Sequence, residues 1–221
     1  FAIEAIKLKA DGLIRLDDQL YGTALDFQIN GENLSSLKSF EAVGDSLDIF
    51  VPGQPFQLAG GFMIEKNGWK LSEVNGLVGK AALDFEALIS NQPDWIGSNI
   101  RFSIKGPNLN ELLIKKDDPG LPNGVFESSA LILLADNKLK ISNLVFDTVK
   151  AHGEVDLELG WPVGSSYDIN FDVDIRGDDI RNFLPRTEAF EVAMAAFQLN
   201  AVGSKQGDLI TVDQFESRVG S

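Results

Sequence analysis

Strict two-residue alternation is the feature that most constrains this chain. In Tyr167-Asp-Ile-Asn-Phe-Asp-Val-Asp-Ile175-Arg176, every odd position is apolar and every even one polar or charged. Successive side chains of a strand point to opposite faces, so this segment has one apolar and one acidic face. Leu25-Asp-Phe-Gln-Ile29-Asn30, Phe102-Ser-Ile104-Lys105 and Val155-Asp-Leu-Glu-Leu159 follow the same rule. One-sided strands of this kind belong to antiparallel sheets with one wet face. Asn67-Gly68, Asn75-Gly76, Asp136-Asn137 and Gly164-Ser165-Ser166 read as the turns between them.

The alternating segments recur. Leu25 to Leu37, Ile100 to Leu112 and Phe171 to Phe183 each run as a strand, a Gly, an Asn or Asp, and two apolar residues three apart. The glycines are Gly31, Gly106 and Gly177, which by their numbers lie 75 and 71 positions apart. Gly permits a strand exit at positive φ. Asn33, Asn108 or Asp179 can cap a single helical turn. A second block follows each, opening at Phe56, Phe126 and Phe190. The repeat is thus about 70–75 residues, each with four or five short antiparallel strands. Residues 1–24 are the tail of a preceding unit, 25–99 and 100–166 are two full units, and 167–221 is an incomplete third. Glu188 to Leu199, rich in Ala, Met and Glu, favours helix by propensity, but the repeat alignment makes it strand.

The expected fold is therefore all-β, one elongated, twisted antiparallel sheet with short helical turns at its edges.

Composition narrows function. The 221 residues hold 33 acidic and 19 basic side chains, a net charge of −14. Nucleic acid and anionic headgroups both call for a cationic surface, so neither suits this chain as a directly bound partner. There is no Cys, hence no disulfide, thiolate zinc site or Cys nucleophile, and with one His no multi-His metal site. No apolar stretch approaches the roughly 20 residues of a membrane-spanning helix. The chain begins with Phe and is expected to be a processed or excised piece whose anchor lies elsewhere.

The residues resemble the AsmA family of bacterial envelope proteins, which includes TamB-like and YhdP-like chains. The resemblance rests on the strand with Gly31, Asn33 and Leu34, then Val51-Pro52-Gly-Gln-Pro55-Phe56-Gln-Leu58-Ala-Gly60, then Trp69-Lys-Leu71 and Gly79. A second copy runs Gly106, Asn108, Leu109, then Leu121-Pro122, Phe126 and Gly153. The third departs: Leu184-Pro185 and Phe190 fit, but an Ala-rich stretch replaces the following Gly. The resemblance implies a sheet of repeats curled into a groove with an apolar inner face. It further implies lipid transport across a Gram-negative-type periplasm, by a parent chain anchored in the inner membrane.

On that reading the groove residues are Leu25, Phe27, Ile29, Phe56, Leu58, Phe102, Ile104, Val155, Leu157, Ile169, Phe171 and Val173. They would shelter phospholipid acyl chains, without cofactor, metal or catalysis. Other envelope proteins are possible partners. The same face equally describes a filled core in a structural or interaction module of the envelope, because burial releases about 25 cal/mol per Å² against either partner.

Other features carry less. Asp17-Asp18, Asp117-Asp118 and Asp178-Asp179 read as caps and solvated turns, and Asp168, Asp172 and Asp174 as wet surface. Gly76-Leu-Val-Gly79-Lys80-Ala81 lacks the spacing of a phosphate loop. His152 has no visible activated Ser, and Trp69, Trp95 and Trp161 are expected to pack against the sheet. Fifteen Phe against two Tyr suit a dry surface more than a sugar site.

Overall fold

The computed structural model describes residues 6–17, 19–34, 53–109, 124–135, 138–160, 168–182 and 194–220. Twelve strands form a single antiparallel sheet whose spatial order is the chain order. They are β1 (Lys7–Leu13), β2 (Ala24–Gly31), β3 (Phe56–Glu65), β4 (Gly68–Val78), β5 (Ala81–Ser90) and β6 (Asn99–Gly106). The second half is β7 (Phe126–Ala135), β8 (Lys138–Thr148), β9 (Ala151–Gly160), β10 (Ile169–Gly177), β11 (Phe197–Gln206) and β12 (Leu209–Val219). The alternating segments of the sequence fall in β2, β6, β9 and β10. Among the described residues the only helical pieces are short 3₁₀ turns, such as Pro93–Trp95 and Ile180–Asn182. None is long and apolar enough to cross a membrane.

The sheet is open and uncurled, with β1 and β12 at opposite edges. The curl into a groove is therefore not seen in this stretch. Each strand pairs with its chain neighbours, and no described pairing ties one edge to the other.

Two kinds of connection alternate along the sheet. At one end, tight hairpins turn at Lys66-Asn67, and at Gly207-Asp208, where Gly207 has φ +58°. At the other end, long connections after Gly31, Gly106 and Gly177, leading to Phe56, Phe126 and Phe197, alternate with tight turns at Gly79-Lys80 and Val149-Lys150.

Those three glycines do not act as expected. None has positive φ. Each lies directly across the ladder from the Phe that opens the next strand: Gly31 from Phe56, Gly106 from Phe126, Gly177 from Phe197. A Cβ added at each would lie 2.7–2.8 Å from a ring carbon of that Phe. The missing side chain makes room for an aromatic ring lying over the neighbouring strand.

The third block thus opens at Phe197, not Phe190, which lies outside the described residues. Of the Glu188–Leu199 stretch, residues 188–193 lie outside the described residues, 194–196 carry no regular structure, and the residues from Phe197 onward are strand. The single helical turn does appear at Ile180–Asn182. It is capped as predicted, with the Arg181 amide donating to the Asp179 carboxylate at 3.1 Å. The Arg181 guanidinium on the same carboxylate holds its pKa below the usual range.

Asn75-Gly76 is not a turn either, since both residues lie inside β4. Gly76 is needed there because a Cβ would fall 1.9 Å from the Gln57 carbonyl oxygen. The motifs Asp136-Asn137, Gly164-Ser165-Ser166, Asp117-Asp118, Tyr167 and Trp161 lie outside the described residues.

Candidate functional site: the apolar face

Residues paired across an antiparallel ladder share a face, so the register assigns every strand. Leu25, Phe27 and Ile29 pair with Phe62, Gly60 and Leu58, and Gly31 with Phe56. Leu58 pairs with Gly76, Gly76 with Leu83, and Leu83 with Ile104, beside the Phe85–Phe102 pair. Ile104 continues through Ser128 to Phe146 and Gly153. Val155, Leu157 and Leu159 then pair with Val173, Phe171 and Ile169. All the candidate residues named from the sequence therefore project from one face.

Two bulges keep this face in phase. In Leu71-Ser-Glu-Val74 and Ile141-Ser-Asn-Leu144, apolar residues three apart would normally point to opposite sides. The register shifts between them in both strands. Glu73 and Asn143 absorb the extra residue at φ 51° and 52°. Leu71 and Val74 then both pair with apolar partners, Ala87 and Phe85. The Asn143 amide is satisfied by the Asp156 carboxylate at 2.7 Å. Asn tolerates this left-handed conformation better than Glu does.

Burial divides the face. Phe56, Leu58, Val74, Val78, Ala81 and Phe126 form a closed cluster, with Phe56 4% and Leu58 8% exposed. Leu34 and Leu109, at the start of the long connections, pack onto this cluster, as do Phe27, Ile29 and Ile104. Phe56 and Leu58 are thus structural core. The other candidates, Leu25, Phe27, Ile29, Phe102, Ile104, Val155, Leu157, Ile169, Phe171 and Val173, are all half-buried. Toward the edges the face opens, and every residue of β1 and β12 is exposed. Trp69, expected to pack, is 51% exposed on this face opposite Ile64 and Ile89.

The opposite face is polar and acidic. Asp172 and Asp174 stand across from Asp156 and Glu154. Lys138 and Lys140 both pair with Glu158 and hold its carboxyl below the usual range. His152 lies between two carboxylates, Nδ1 2.6 Å from Asp147 and Nε2 3.2 Å from Glu154. The hydrogen bond to Asp147 is the main cause of its raised pKa. Among the described residues no group of three or more His, Asp or Glu is placed to hold a metal ion.

A depression of about 610 Å³ runs across β4–β8, with Glu73, Asn75, Asp84, Glu86, Arg101 and Ser103 along it. Buried Val74 and Ala130 line it as well. Alternation within a strand does not foretell it, since it depends on the spacing between strands.

Comparison with protein-family models, with curated proteins and with solved structures finds no match for this chain.

Proposed function

We propose that this chain is a non-catalytic segment of an AsmA-like envelope protein that shelters lipid acyl chains along its apolar face. The observation that carries the reading is the half-buried part of that face. Val155, Leu157, Ile169, Phe171 and Val173 form a contiguous half-buried apolar patch across neighbouring β9 and β10, and Phe102 on β6 is likewise half-buried on the same face outside the closed cluster. Contiguous exposed apolar surface of this extent marks an interaction site in a stable protein. A half-covered face can exchange its cover between water, lipid and protein, whereas a sealed core cannot.

In this proposal the unit of the sheet is a four-stranded repeat. Two observations support it: β3–β5 and β7–β9 have identical lengths of 10, 11 and 10 residues. β11 and β12 repeat the first two, at 10 and 11. The proposal needs only a shallow apolar trough on this uncurled face, beside the packing of Leu34 and Leu109. Acyl chains lie against the phenylalanines while headgroups stay in water, and movement along the trough is passive. The parent chain would be anchored in the inner membrane and act in the periplasm, carrying phospholipid between the two membranes.

Native mass spectrometry after gentle purification tests this reading and should reveal co-purified phospholipid. Phe171→Asp and Ile104→Asp should abolish capture and leave the strand content, read by far-UV circular dichroism, unchanged. An apo protein that takes up no lipid from vesicles sinks the proposal.

The closed cluster around Val74 and Phe126 favours a second reading, a structural or interaction module of the envelope with a filled core. It predicts that the aspartate variants unfold rather than merely lose lipid.

A further inference from the structure

The two ends of the strands carry different aromatic residues. The chain has three Trp and two Tyr against fifteen Phe. Trp69 is the second residue of β4, beside the Lys66-Asn67 hairpin. Trp95 lies in the connection from β5 to β6, and Tyr21 in the turn from β1 to β2. The register places all three connections at the same end of the sheet. Trp161 and Tyr167 lie outside the described residues; in the sequence they fall between β9 and β10. At the opposite end, where Phe56, Phe126 and Phe197 are buried, no described residue is Trp or Tyr. Phe is apolar throughout, whereas Trp and Tyr join an apolar ring to an N–H or O–H that seeks a polar partner. They settle where hydrocarbon meets water.

This rim is a fixed border. The Gly22 amide donates to the Ile64 carbonyl at 2.9 Å, the Asn91 amide to the Asn67 carbonyl at 3.1 Å, and the Gly97 amide to the Leu134 carbonyl at 2.7 Å. Successive connections are thus tied to the neighbouring strand ends. Asp94 and Trp95 both take left-handed conformations, φ 55° and 58°, which are costly for non-Gly residues and persist only where the surroundings fix them. Trp95 is held there 43% exposed, and Trp69 stands at the border of the apolar face, opposite Ile64 and Ile89.

From this rim inward the face is apolar. Phe62 pairs with Leu71, Leu71 with Ala87, Ala87 with Ile100, and Ile100 with Ile132. Ile64 at the rim and Leu58 in the closed cluster lie six positions apart on β3, about 20 Å at the usual rise of a strand. The hydrocarbon of one bilayer leaflet is about 15 Å deep, half of the whole core. The distance from rim to cluster therefore accommodates an acyl chain laid along the strands.

We propose that this rim is the headgroup border of the face. A diacyl phospholipid lies with its ester and phosphate groups level with Trp69 and Trp95, and its acyl chains run along the strands toward the closed cluster. The inference rests on the lipid reading above and adds an orientation to it. The indole N–H groups donate to ester or phosphate oxygens while the rings cover the first methylenes. The far ends of the chains meet the cluster around Val74, which is closed and admits none of them.

Brominated lipids measure this orientation, because bromine quenches Trp fluorescence on contact. The full chain is loaded from phosphatidylcholine vesicles whose chains carry bromine near the ester end or near the methyl end. The vesicles are then removed, and native mass spectrometry counts the lipid that stays bound. With Trp95→Phe and Trp161→Phe, Trp69 is the sole Trp, and it should lose more fluorescence to ester-end bromine. With all three Trp replaced by Phe, Phe102→Trp reports from deeper along the face, beside Phe85, and should lose more to methyl-end bromine. Phe27→Trp, at a position packed on the closed cluster, serves as a second deep reporter, and circular dichroism checks the fold of each variant. Bound lipid that quenches rim and deep reporters in the same order overturns the orientation and leaves the lipid reading standing. A chain that retains no lipid once the vesicles are gone sinks both. Quenching of Trp69 only while vesicles are present makes the rim a bilayer-docking surface and overturns the proposal as well.

Discussion

Two rows of phenylalanine share the apolar face and have different surroundings. Phe56, Phe126 and Phe197 open β3, β7 and β11, and all are buried. Phe27, Phe102 and Phe171 sit farther along strands of the same face and are half-buried. Residue type, face and backbone conformation are the same in both rows. A glycine across the ladder does not separate them, since Phe27 faces Gly60 and Phe171 faces Gly203. What differs is the place along the strand: the first row stands where the long connections rejoin the sheet, and Leu34 and Leu109 pack onto the cluster that holds Phe56 and Phe126. Alternation determines the face a side chain takes, and its place along the strand determines whether it becomes core.

Substitutions in the two rows separate these roles. Phe126→Ala should cost about 3–5 kcal/mol, read as a lower urea midpoint, because a closed site cannot refill the cavity. Gly106→Ala should cost about 1–3 kcal/mol, since its Cβ would press on the Phe126 ring at 2.8 Å and on Ala81 at 3.0 Å. Combining it with Phe126→Leu should cost less than the two changes summed, because the smaller side chain vacates the space the new methyl needs. Phe102→Ala should cost only about 1 kcal/mol, as its ring has left water only in part. An equal loss at Phe102 and Phe126 would erase the distinction and make the whole face core.

The smallest effect lies on the polar face. Asp147 and Glu154 favour the charged form of His152 and raise its pKa above the ordinary 6.5. The stabilisation is therefore fully present below pH 6.5 and fades as pH rises through the higher folded value. Both carboxylates are largely exposed, which keeps the effect small. The His152 ring resonances should titrate above 6.5, and Asp147→Asn should bring them back toward it.

Much of this was legible in the chain. The alternation of 169–176 and of 25–30 foretells β10 and β2 and the face their apolar residues share, and Gly31, Gly106 and Gly177 recur at the ends of β2, β6 and β10. The reading failed where side-chain identity and backbone geometry part company. By alignment of the repeats Phe190 reads as the third opening residue, yet it is Phe197 that pairs with Gly177. The spacing would have chosen better: Phe197 lies 20 positions after Gly177, and Phe126 the same number after Gly106. Asn75-Gly76 has the composition of a turn, but there Gly serves close approach between strands. The bulges at Glu73 and Asn143 were hidden because a break in alternation looks the same whether the strand ends or merely gains a residue. Curvature and the depression across β4–β8 depend on how neighbouring strands splay, which no single strand encodes.

The meander has a mechanical consequence. Among the described residues each strand hydrogen-bonds only to its chain neighbours, and no pairing joins the two edges. Such a sheet behaves as a one-dimensional array, in which the terminal strands open first and opening proceeds inward toward the cluster beneath β3–β7. Pulling on the two chain ends would peel strands one at a time rather than shear the sheet as a unit. The molecule would yield at many small steps, as a zipper does, and close again from whichever segment remained intact.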